Sequence, residues 1–263
     1  MSAGFVRIRS LLPSGGCQVV RGAARVVAGR RPLAQRREAV PNVCATLFTM
    51  EGSASHDSVR RSYDTVAEKY AISFREEVAN KPLDRALLAC LIEQTEISTP
   101  IADLGCGPGH VSAWLAGHGV AAVGIDLSSA MITIGRREYP EVEFREGDFL
   151  ELPASDGEFG AVVALYSIIH LEPSELRRAF EEIHRVLRPS GSVFVAFHIG
   201  SEVRHLAEWW GHEVDVDFRF FEPQDVVEAM EGAGFLVEMR LERTSYPEEI
   251  ETRRAYLLAR RRT

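Results

Sequence analysis

The stretch IADLGCGPGHVSAWL, residues 101–115, decides the fold of this chain. Its first four residues are a largely apolar run of the kind that forms a buried strand, and the glycines that follow permit a tight turn. Beyond the glycines, Val111, Trp114 and Leu115 recur at helical spacing. A strand, a glycine turn and a helix in direct succession predict the first half of a βαβ unit, with a ligand site at the turn.

Strand and helix patterns alternate along most of the remaining chain. Apolar residues at helical spacing predict helices from Ser58 to Tyr70 and from Pro82 onward. Alternation of helices with apolar strands predicts an α/β fold with a mainly parallel sheet. Seven strands are predicted, at residues 101–104, 121–125, 142–144, 161–165, 193–197, 235–241 and 255–259.

Acidic residues follow the glycine loop at successive strand ends. The loop at residues 105–109 has the spacing G-x-G-x-G, whereas a dinucleotide site carries G-x-G-x-x-G and would have glycine in place of His110. Asp126 ends the second predicted strand, where a carboxylate can accept both hydroxyls of a ribose, and Asp148 follows the third strand. Since strand ends meet at one edge of the sheet, the loop and the two acids predict a single nucleoside site.

Five motifs resemble those of the class I S-adenosylmethionine-dependent methyltransferases, and the resemblance extends from about Ser58 to the C-terminus. They are DLGCGPG at 103–109, GIDLSSAM at 124–131, EGDFLELP at 146–153, LYSIIHL at 165–171 and RVLRPSG at 185–191. The resemblance implies a Rossmann-like seven-stranded sheet in the order 3-2-1-4-5-7-6, with strand 7 antiparallel and helices on both faces. It also implies methyl transfer from S-adenosylmethionine to an oxygen, nitrogen or carbon atom of a small molecule.

The resemblance further implies which residues contact the cofactor. Asp126 would hold the ribose hydroxyls, Asp148 would accept the adenine amino group, and Asp103 would lie near the amino group of the methionine part. The implied cofactor-binding residues are Tyr63, Tyr70, Asp103, Gly105, Cys106, Gly107, Gly109, Asp126, Leu127, Met131, Gly147, Asp148, Phe149, Leu165 and Tyr166. Core packing on one helix face is an equal alternative for the two N-terminal tyrosines.

Catalysis of methyl transfer needs alignment of the reacting atoms more than a catalytic signature. A base is required only if the nucleophile must lose a proton, and His170 and His198, after the fourth and fifth strands, are the candidates. The spacing of seven between His198, His205 and His212 would place them on one helix face, but without a carboxylate companion we predict no metal site.

Residues 199–221 form an unusually long, aromatic-rich connection and are predicted to be a substrate lid. Its aromatic walls would suit an apolar or aromatic small molecule, and the alternative is a hydrophobic cluster beneath a loop. The predicted substrate-binding residues are Trp209, Trp210, His212, Arg219 and Phe221.

The net charge of −8 is unevenly distributed. Residues 1–49 carry eight arginines and one acid, and are predicted to be a disordered extension: a tail, a mis-assigned start or a targeting segment. Residues 50–263, predicted to be the methyltransferase domain, carry a net charge of −15, which disfavours nucleic acid and anionic membranes as partners. The four cysteines form no CxxC pair, so we expect reduced thiols and a cytoplasmic protein, either monomer or homodimer.

Three functions remain open from the sequence. The first is a small-molecule methyltransferase, and the second is a non-catalytic sensor or partner subunit that binds S-adenosylmethionine. The third, a nucleotide-dependent oxidoreductase, is disfavoured by His110 at the position where the dinucleotide loop requires glycine.

Overall fold

A seven-stranded sheet carries the fold in the computed structural model, which describes residues 55–96 and 98–262. Numbered along the chain, its strands are ordered β3 (Glu143–Glu146), β2 (Ala122–Asp126), β1 (Ile101–Leu104), β4 (Phe159–Leu165), β5 (Leu187–Ile199), β9 (Arg253–Arg261) and β8 (Phe235–Arg243), and β9 runs antiparallel to both of its neighbours. Because β8 and β9 are the sixth and seventh strands of this sheet along the chain, the order predicted from the sequence is confirmed. The predicted extension at residues 1–49 lies outside the described residues.

Seven helices and nine strands follow one another in the described part of the chain. The helices are α1 (His56–Phe74), α2 (Glu77–Asn80), α3 (Pro82–Gln94), α4 (His110–Gly117), α5 (Ser129–Glu138), α6 (Leu176–Val186) and α7 (Pro223–Gly232). The strands are β1 (Ile101–Leu104), β2 (Ala122–Asp126), β3 (Glu143–Glu146), β4 (Phe159–Leu165), β5 (Leu187–Ile199), β6 (Val203–Trp209), β7 (His212–Arg219), β8 (Phe235–Arg243) and β9 (Arg253–Arg261). Within residues 55–96 and 98–262, no helix has the length and hydropathy needed to cross a bilayer.

Each face of the sheet buries its own apolar cluster. Ala102 and Leu104 of β1 pack on one side with residues of α6 and α7, whereas Ile101 packs on the other side with residues of α3, α4 and α5. Successive strand residues point to opposite faces, so a short strand such as β1 can feed both clusters only if it is apolar throughout. This explains why the decisive stretch carries little polarity before its glycines.

The segment predicted as a substrate lid contains a two-stranded hairpin. Strands β6 and β7 pair antiparallel, with Trp209 opposite His212. Trp210 and Gly211 both adopt positive φ, 55° and 84°, as a two-residue turn between twisted strands requires. The three histidines spaced by seven therefore lie on strands, and the expectation that they share a helix face is wrong.

Helix α1 packs on α5 and on strand β7 of the hairpin. Ser62 donates its hydroxyl to the Asp215 carbonyl at 3.1 Å and accepts the Asp215 N–H at 2.8 Å. Val59 and Val66 bury their side chains with Leu206 and Val216 of the hairpin. The N-terminal helix and the hairpin thus form one unit, at the edge of the sheet where the parallel strands end.

Candidate methyl-transfer site

The glycine loop after β1 brings backbone close to the end of β4. Gly105 and Gly107 have φ of 66° and 55°, a region that other residues rarely adopt. A Cβ on Gly105 would overlap the side chain of Ser167, whose hydroxyl donates to the Leu104 carbonyl at 2.8 Å. Glycine is therefore required here both by the turn and by the close approach of the two strand ends.

Asp126, at the end of β2, is held by two backbone donors. Its Oδ2 accepts the N–H of Gly107 and its Oδ1 accepts the N–H of Ser128, each at 2.8 Å. Burial raises the pKa of Asp126 to about 6, although these two hydrogen bonds act to lower it. Each carboxylate oxygen retains acceptor capacity, so two ribose hydroxyls can bind without disturbing the loop.

Asp103 lies beneath the same loop and is 2% exposed. Its Oδ2 accepts the hydroxyl of Ser112 at 2.7 Å. Burial raises the pKa of this carboxyl to about 6, against the opposing effect of the Ser112 bond. The neighbouring thiol of Cys106 is also buried, which raises its pKa, so it behaves as a packing residue and not as a nucleophile.

Asp148, after β3, contacts a histidine that the sequence analysis did not single out. Its Oδ2 lies 2.8 Å from Nδ1 of His56, and Nε2 of the same ring lies 3.2 Å from Oε2 of Glu175. Burial acts to lower the pKa of His56, but the two carboxylates raise it above its ordinary value. The first residue of α1 is thereby tied to the acid expected to bind adenine.

Tyr63 and His170 form a hydrogen-bonded pair between α1 and the turn after β4. The Nδ1 of His170 lies 2.9 Å from the Asp217 carbonyl, which only accepts, so Nδ1 carries the proton. Nε2 therefore accepts the Tyr63 hydroxyl, 2.8 Å away. Burial lowers the pKa of His170 to about 4, and in this arrangement its lone pair is engaged by Tyr63.

A group of charged residues also lines the cavity, and the sequence analysis did not find it. Lys81 Nζ lies 2.6 Å from Oε1 of Glu77, and His110 Nε2 lies 3.0 Å from Oε2 of the same carboxylate. Asp84, in the first turn of α3, is the fourth member of this group. The spacing of four between Glu77 and Lys81 was a usable signal, but nothing in the sequence linked these residues to the loop.

Most of the predicted cofactor residues line one cavity, with about 1240 Å³ of atom-free space including the part that opens to solvent. Apolar side chains of Val59, Val78 and Leu88 also line it. The predicted residues that do so are Tyr63, Tyr70, Asp103, Gly105, Cys106, Gly107, Asp126, Leu127, Gly147, Asp148, Phe149, Leu165, Tyr166 and His170.

Gly109 and Met131 were predicted to contact the cofactor, but neither is among the residues that line the cavity. A Cβ on Gly109 would overlap the ring of Phe144. Met131 is fully buried between α5 and α1, packed with Ala67 and Ala71. The two residues pack against side chains that lie outside the cavity lining.

His198 and the predicted substrate residues also lie outside the cavity lining. Burial, together with the charges of Arg254, Lys81 and Arg204, lowers the pKa of His198 to about 3, and its Nδ1 lies 2.9 Å from the Thr252 hydroxyl. Trp209 packs edge-on against Tyr63 and stacks on Trp210. Arg219 forms ion pairs with Glu172 and Asp217. Phe221 is buried beside β5, whereas His212 is exposed. The hairpin backs the cavity, and its role in substrate binding stays a prediction.

Comparison with known proteins agrees with the fold. Residues 101–191 match the family described as methyltransferase domain. The demethylmenaquinone methyltransferase of Chlorobaculum parvum is 31% identical over 148 residues, which are 54% of this chain and 60% of that protein. An O-methyltransferase of Pyrenophora dematioidea is 33% identical over 103 residues, 36% of this chain and 38% of that protein. The chain thus spans about three fifths or less of the length of these relatives.

Solved structures share the fold at lower sequence identity. A S-adenosylmethionine-dependent methyltransferase from Methanosarcina mazei has a TM-score of 0.60 and 17% identity, covering 66% of this chain and 97% of that one. The cyclase SpnF has a TM-score of 0.61 and 22% identity, covering 82% of this chain and all of the other. Both likenesses concern the fold alone.

The sheet order, the glycine loop and the strand-end acids are those expected for a class I S-adenosylmethionine-dependent methyltransferase, and residues 101–191 match a methyltransferase domain. The matched segment runs from the start of β1 into β5 and contains every strand-end acid of the site. S-adenosylmethionine is accordingly the cofactor of this domain, and the carboxylate of Asp126 with its remaining acceptor capacity fits a ribose.

Proposed function

We propose that this chain transfers a methyl group from S-adenosylmethionine to a small apolar or aromatic molecule by in-line displacement. When bound, this cofactor supplies a methyl carbon attached to a positively charged sulfur, which is a good leaving group. The protein's own task is to hold the acceptor in line and to exclude water. The acceptor atom, oxygen, nitrogen or carbon, is left open at this stage.

The observation that carries the proposal is the continuity of the cavity. It is lined at one end by Asp126 and Asp148, which suit a nucleoside, and it continues to Tyr166 at the end of β4. Tyr63 and Tyr70 of α1 line it as well, so the N-terminal helix limits access of water. One cavity therefore joins the acids that suit a nucleoside to the aromatic residues at the end of β4.

The apolar part of the lining supports an apolar or aromatic acceptor. Valine and leucine side chains from α1, α2, α3 and β4 face the same space as the group of charged residues. A relative in the comparison carries the name demethylmenaquinone methyltransferase, and an aromatic acceptor for this chain is consistent with that likeness. We propose no nucleic-acid or membrane partner, because the body of the chain is strongly acidic.

Calorimetric titration of the full chain with S-adenosylhomocysteine tests the cofactor site. We expect micromolar binding of this compound and no binding of NAD. Asp126→Ala is expected to weaken binding by about 2–3 kcal/mol, because a buried charged acceptor is lost. Asp156→Ala is the matched control, since Asp156 is exposed and its carboxylate forms an ion pair with Arg185 on the surface.

The results separate the functions that the sequence left open. Unchanged affinity in Asp126→Ala would refute the ribose assignment. Binding of S-adenosylhomocysteine without methyl transfer to any of a panel of phenols, hydroquinones and aromatic amines would favour a non-catalytic binding protein. Binding of NAD in its place would favour the oxidoreductase.

A further inference from the structure

Asp84 is a buried carboxylate that the cofactor site does not use. It is 2% exposed, lines the cavity, and accepts the Tyr256 hydroxyl on Oδ1 at 2.8 Å. Its other oxygen, Oδ2, has no hydrogen-bond partner among the described residues. A buried carboxylate with one unsatisfied oxygen is costly, so a role in binding or proton transfer is the natural explanation.

A chain of hydroxyl groups connects Asp84 to the cavity. The hydroxyl oxygens of Tyr166 and Tyr256 lie 3.1 Å apart. Tyr256 has one proton and donates it to Asp84, so the Tyr166 hydroxyl must be the donor to Tyr256. Arg243 Nε also donates to the Tyr256 oxygen, at 2.9 Å. The hydrogen bonds therefore run in one direction, from Tyr166 through Tyr256 to Asp84.

Tyr166 is held in an unusual backbone conformation at the end of β4. Its φ is 55°, in the left-handed region that a residue with a large side chain rarely adopts. Such strain is typical of functional sites. The Lys81 ammonium lies 4.4 Å from the centre of the Tyr166 ring, so a positive charge stands beside the place where the ring meets the cavity.

Among the described residues, the positive and negative side chains around Asp84, Tyr166 and Tyr256 are equal in number. Lys81 pairs with Glu77 at 2.6 Å, and Glu249 pairs with Arg243 at 2.6 Å and with Arg254 at 3.5 Å. With Asp84 ionised, three cations therefore face three carboxylates. A cationic amine would unbalance this set, whereas a neutral hydroxyl would not.

We propose that the acceptor carries a hydroxyl group that binds the Tyr166 oxygen, and that Tyr166 and Tyr256 pass its proton to Asp84. This inference rests on the proposed methyl-transfer function and narrows it to an oxygen nucleophile, or to a phenol activated for attack through its ring. The substrate class is a neutral phenol, hydroquinone or enol.

The acceptor O–H bond breaks and its electron pair stays on the acceptor oxygen. The acceptor's proton moves to the Tyr166 oxygen, the Tyr166 proton moves to the Tyr256 oxygen, and the Tyr256 proton moves to Asp84. Transfer then forms a bond from the acceptor to the methyl carbon and breaks the carbon–sulfur bond, whose electron pair stays on sulfur. The cation left in excess when Asp84 is neutral stabilises the negative charge on the acceptor, with Lys81 nearest to Tyr166.

The electrostatics of Asp84 support its role as the final proton acceptor. Burial raises the pKa of Asp84 above its ordinary value. Lys81, the Tyr256 hydroxyl and Arg243 act to lower it, and Glu77 acts to raise it. A carboxylate with a raised pKa takes up a proton more readily, as a general base requires.

The test uses the full chain loaded with S-adenosylhomocysteine, and two probes of the same shape, 4-nitrophenol and 4-nitrotoluene. We expect 4-nitrophenol to bind about ten-fold more tightly, because only it has a hydroxyl to donate to Tyr166. We also expect the bound probe to turn into its yellow phenolate at a pH about one unit lower than the free probe. Equal binding, absence of binding, or an unshifted midpoint would each overturn the proposal.

Variants separate the binding step from the proton relay. Tyr166→Phe is expected to abolish both the preference for the phenol and the shift of its midpoint. Tyr256→Phe is expected to keep the preference and lose the shift, because Asp84 then stays ionised and cannot receive the proton. Asp84→Asn leaves one cation in excess beside Tyr166, so it should keep the preference and lower the midpoint at least as far as in the wild type. Tyr139→Phe, at the C-terminal end of α5 and outside the cavity lining, is the matched control and should behave as the wild type.

The design also distinguishes this inference from the function on which it rests. Failure of the wild type to bind S-adenosylhomocysteine would contradict the proposed function itself. Normal binding of that compound without the 4-nitrophenol effects would overturn only the relay. If Asp84→Asn fails to fold, Tyr256→Phe still interrupts the relay by removal of a single oxygen atom, and retained affinity for S-adenosylhomocysteine verifies its fold.

Discussion

Asp103 and Asp126 are carboxylates that burial has made weaker acids. Burial raises the pKa of each to about 6, well above the ordinary range of an aspartate. The folded protein therefore binds protons between about pH 4 and pH 6 that the unfolded chain has already released. The stabilisation that these groups contribute is present at low pH and is lost as the pH rises through 6, so a fall in pH to 5 does not weaken the fold through them.

Cofactor binding should have the opposite dependence on pH. The ribose hydroxyls need an ionised acceptor, so the affinity for S-adenosylhomocysteine is expected to fall about ten-fold between pH 7 and pH 5 as Asp126 takes up a proton. Titration calorimetry across this range measures the slope. In Asp126→Asn, the part of the slope due to this residue should disappear. An affinity that does not change with pH in the wild type would contradict the assignment.

The Tyr63–His170 hydrogen bond joins α1 to the turn that follows β4. Because the bond is partly buried and directly joins the two side chains, Tyr63→Phe and His170→Ala should show a coupling of about 1 kcal/mol in the free energy of unfolding. Chemical denaturation of the two single variants and the double variant gives this value. Tyr70→Phe with His170→Ala is the control cycle and should be additive. Additivity in the Tyr63 cycle as well would mean that the bond contributes nothing.

At the scale of the elements, the N-terminal helix depends on the hairpin. Neither α1 nor the β6–β7 hairpin belongs to the seven-stranded sheet, and Val59 and Val66 of α1 bury their side chains against the hairpin. The reciprocal hydrogen bonds between Ser62 and Asp215 fix their relative position. We therefore expect the position of α1, whose residues line the cavity, to depend on the folded hairpin.

Ser62→Ala tests this dependence. The substitution leaves the N–H and carbonyl of Asp215 without their side-chain partner, so α1 and β7 should exchange amide protons faster, with a loss of stability of about 1 kcal/mol. Ser58→Ala is the matched control, since Ser58 is equally buried, at 3%, and its hydroxyl bonds only to Ser55 in the first turn. Equal exchange in the two variants would show that the contact with the hairpin does not hold the helix.

At the scale of the whole molecule, the aromatic ring of Phe144 packs directly against the backbone of three glycines. Phe144 of β3 is 4% exposed. A Cβ on Gly124 would lie 2.7 Å from this ring, and Cβ atoms on Gly109 and Gly135 would also overlap it. The last glycine of the ligand loop thus serves the core beneath the site.

Gly124→Ala is accordingly expected to destabilise the whole domain. Overpacking at a site this tight costs about 1–3 kcal/mol, because Phe144 and the Cys106 sulfur, 2.9 Å from the added Cβ, must both move. Thermal and chemical denaturation measure the effect. Gly117→Ala at the end of α4 is the matched control, since an added Cβ there meets nothing within 4 Å. A neutral Gly124→Ala would show that the core relaxes around the methyl group.

The sequence patterns predicted a mainly parallel α/β sheet with a nucleoside site at its strand ends, and the family resemblance implied the strand order that the structure confirms. Apolar strands alternating with helices leave few ways to build a buried parallel sheet, and glycines and acids at strand ends must converge on one edge. The loop glycines Gly105 and Gly107 and the acids Asp126 and Asp148 were predicted in this way, from their positions at strand ends, whereas the resemblance implied the role of Asp103.

Only the tertiary structure decided the acceptor end of the cavity. The hairpin was missed because its turn, Trp210-Gly211, lacks the asparagine or aspartate that usually announces such a turn. Asp84, Tyr166 and Tyr256 meet across three elements, and Asp84 and Tyr256 are 172 residues apart in the chain. Such a contact leaves no periodic pattern in the sequence, because it depends on how α3 packs against β9 and against the end of β4.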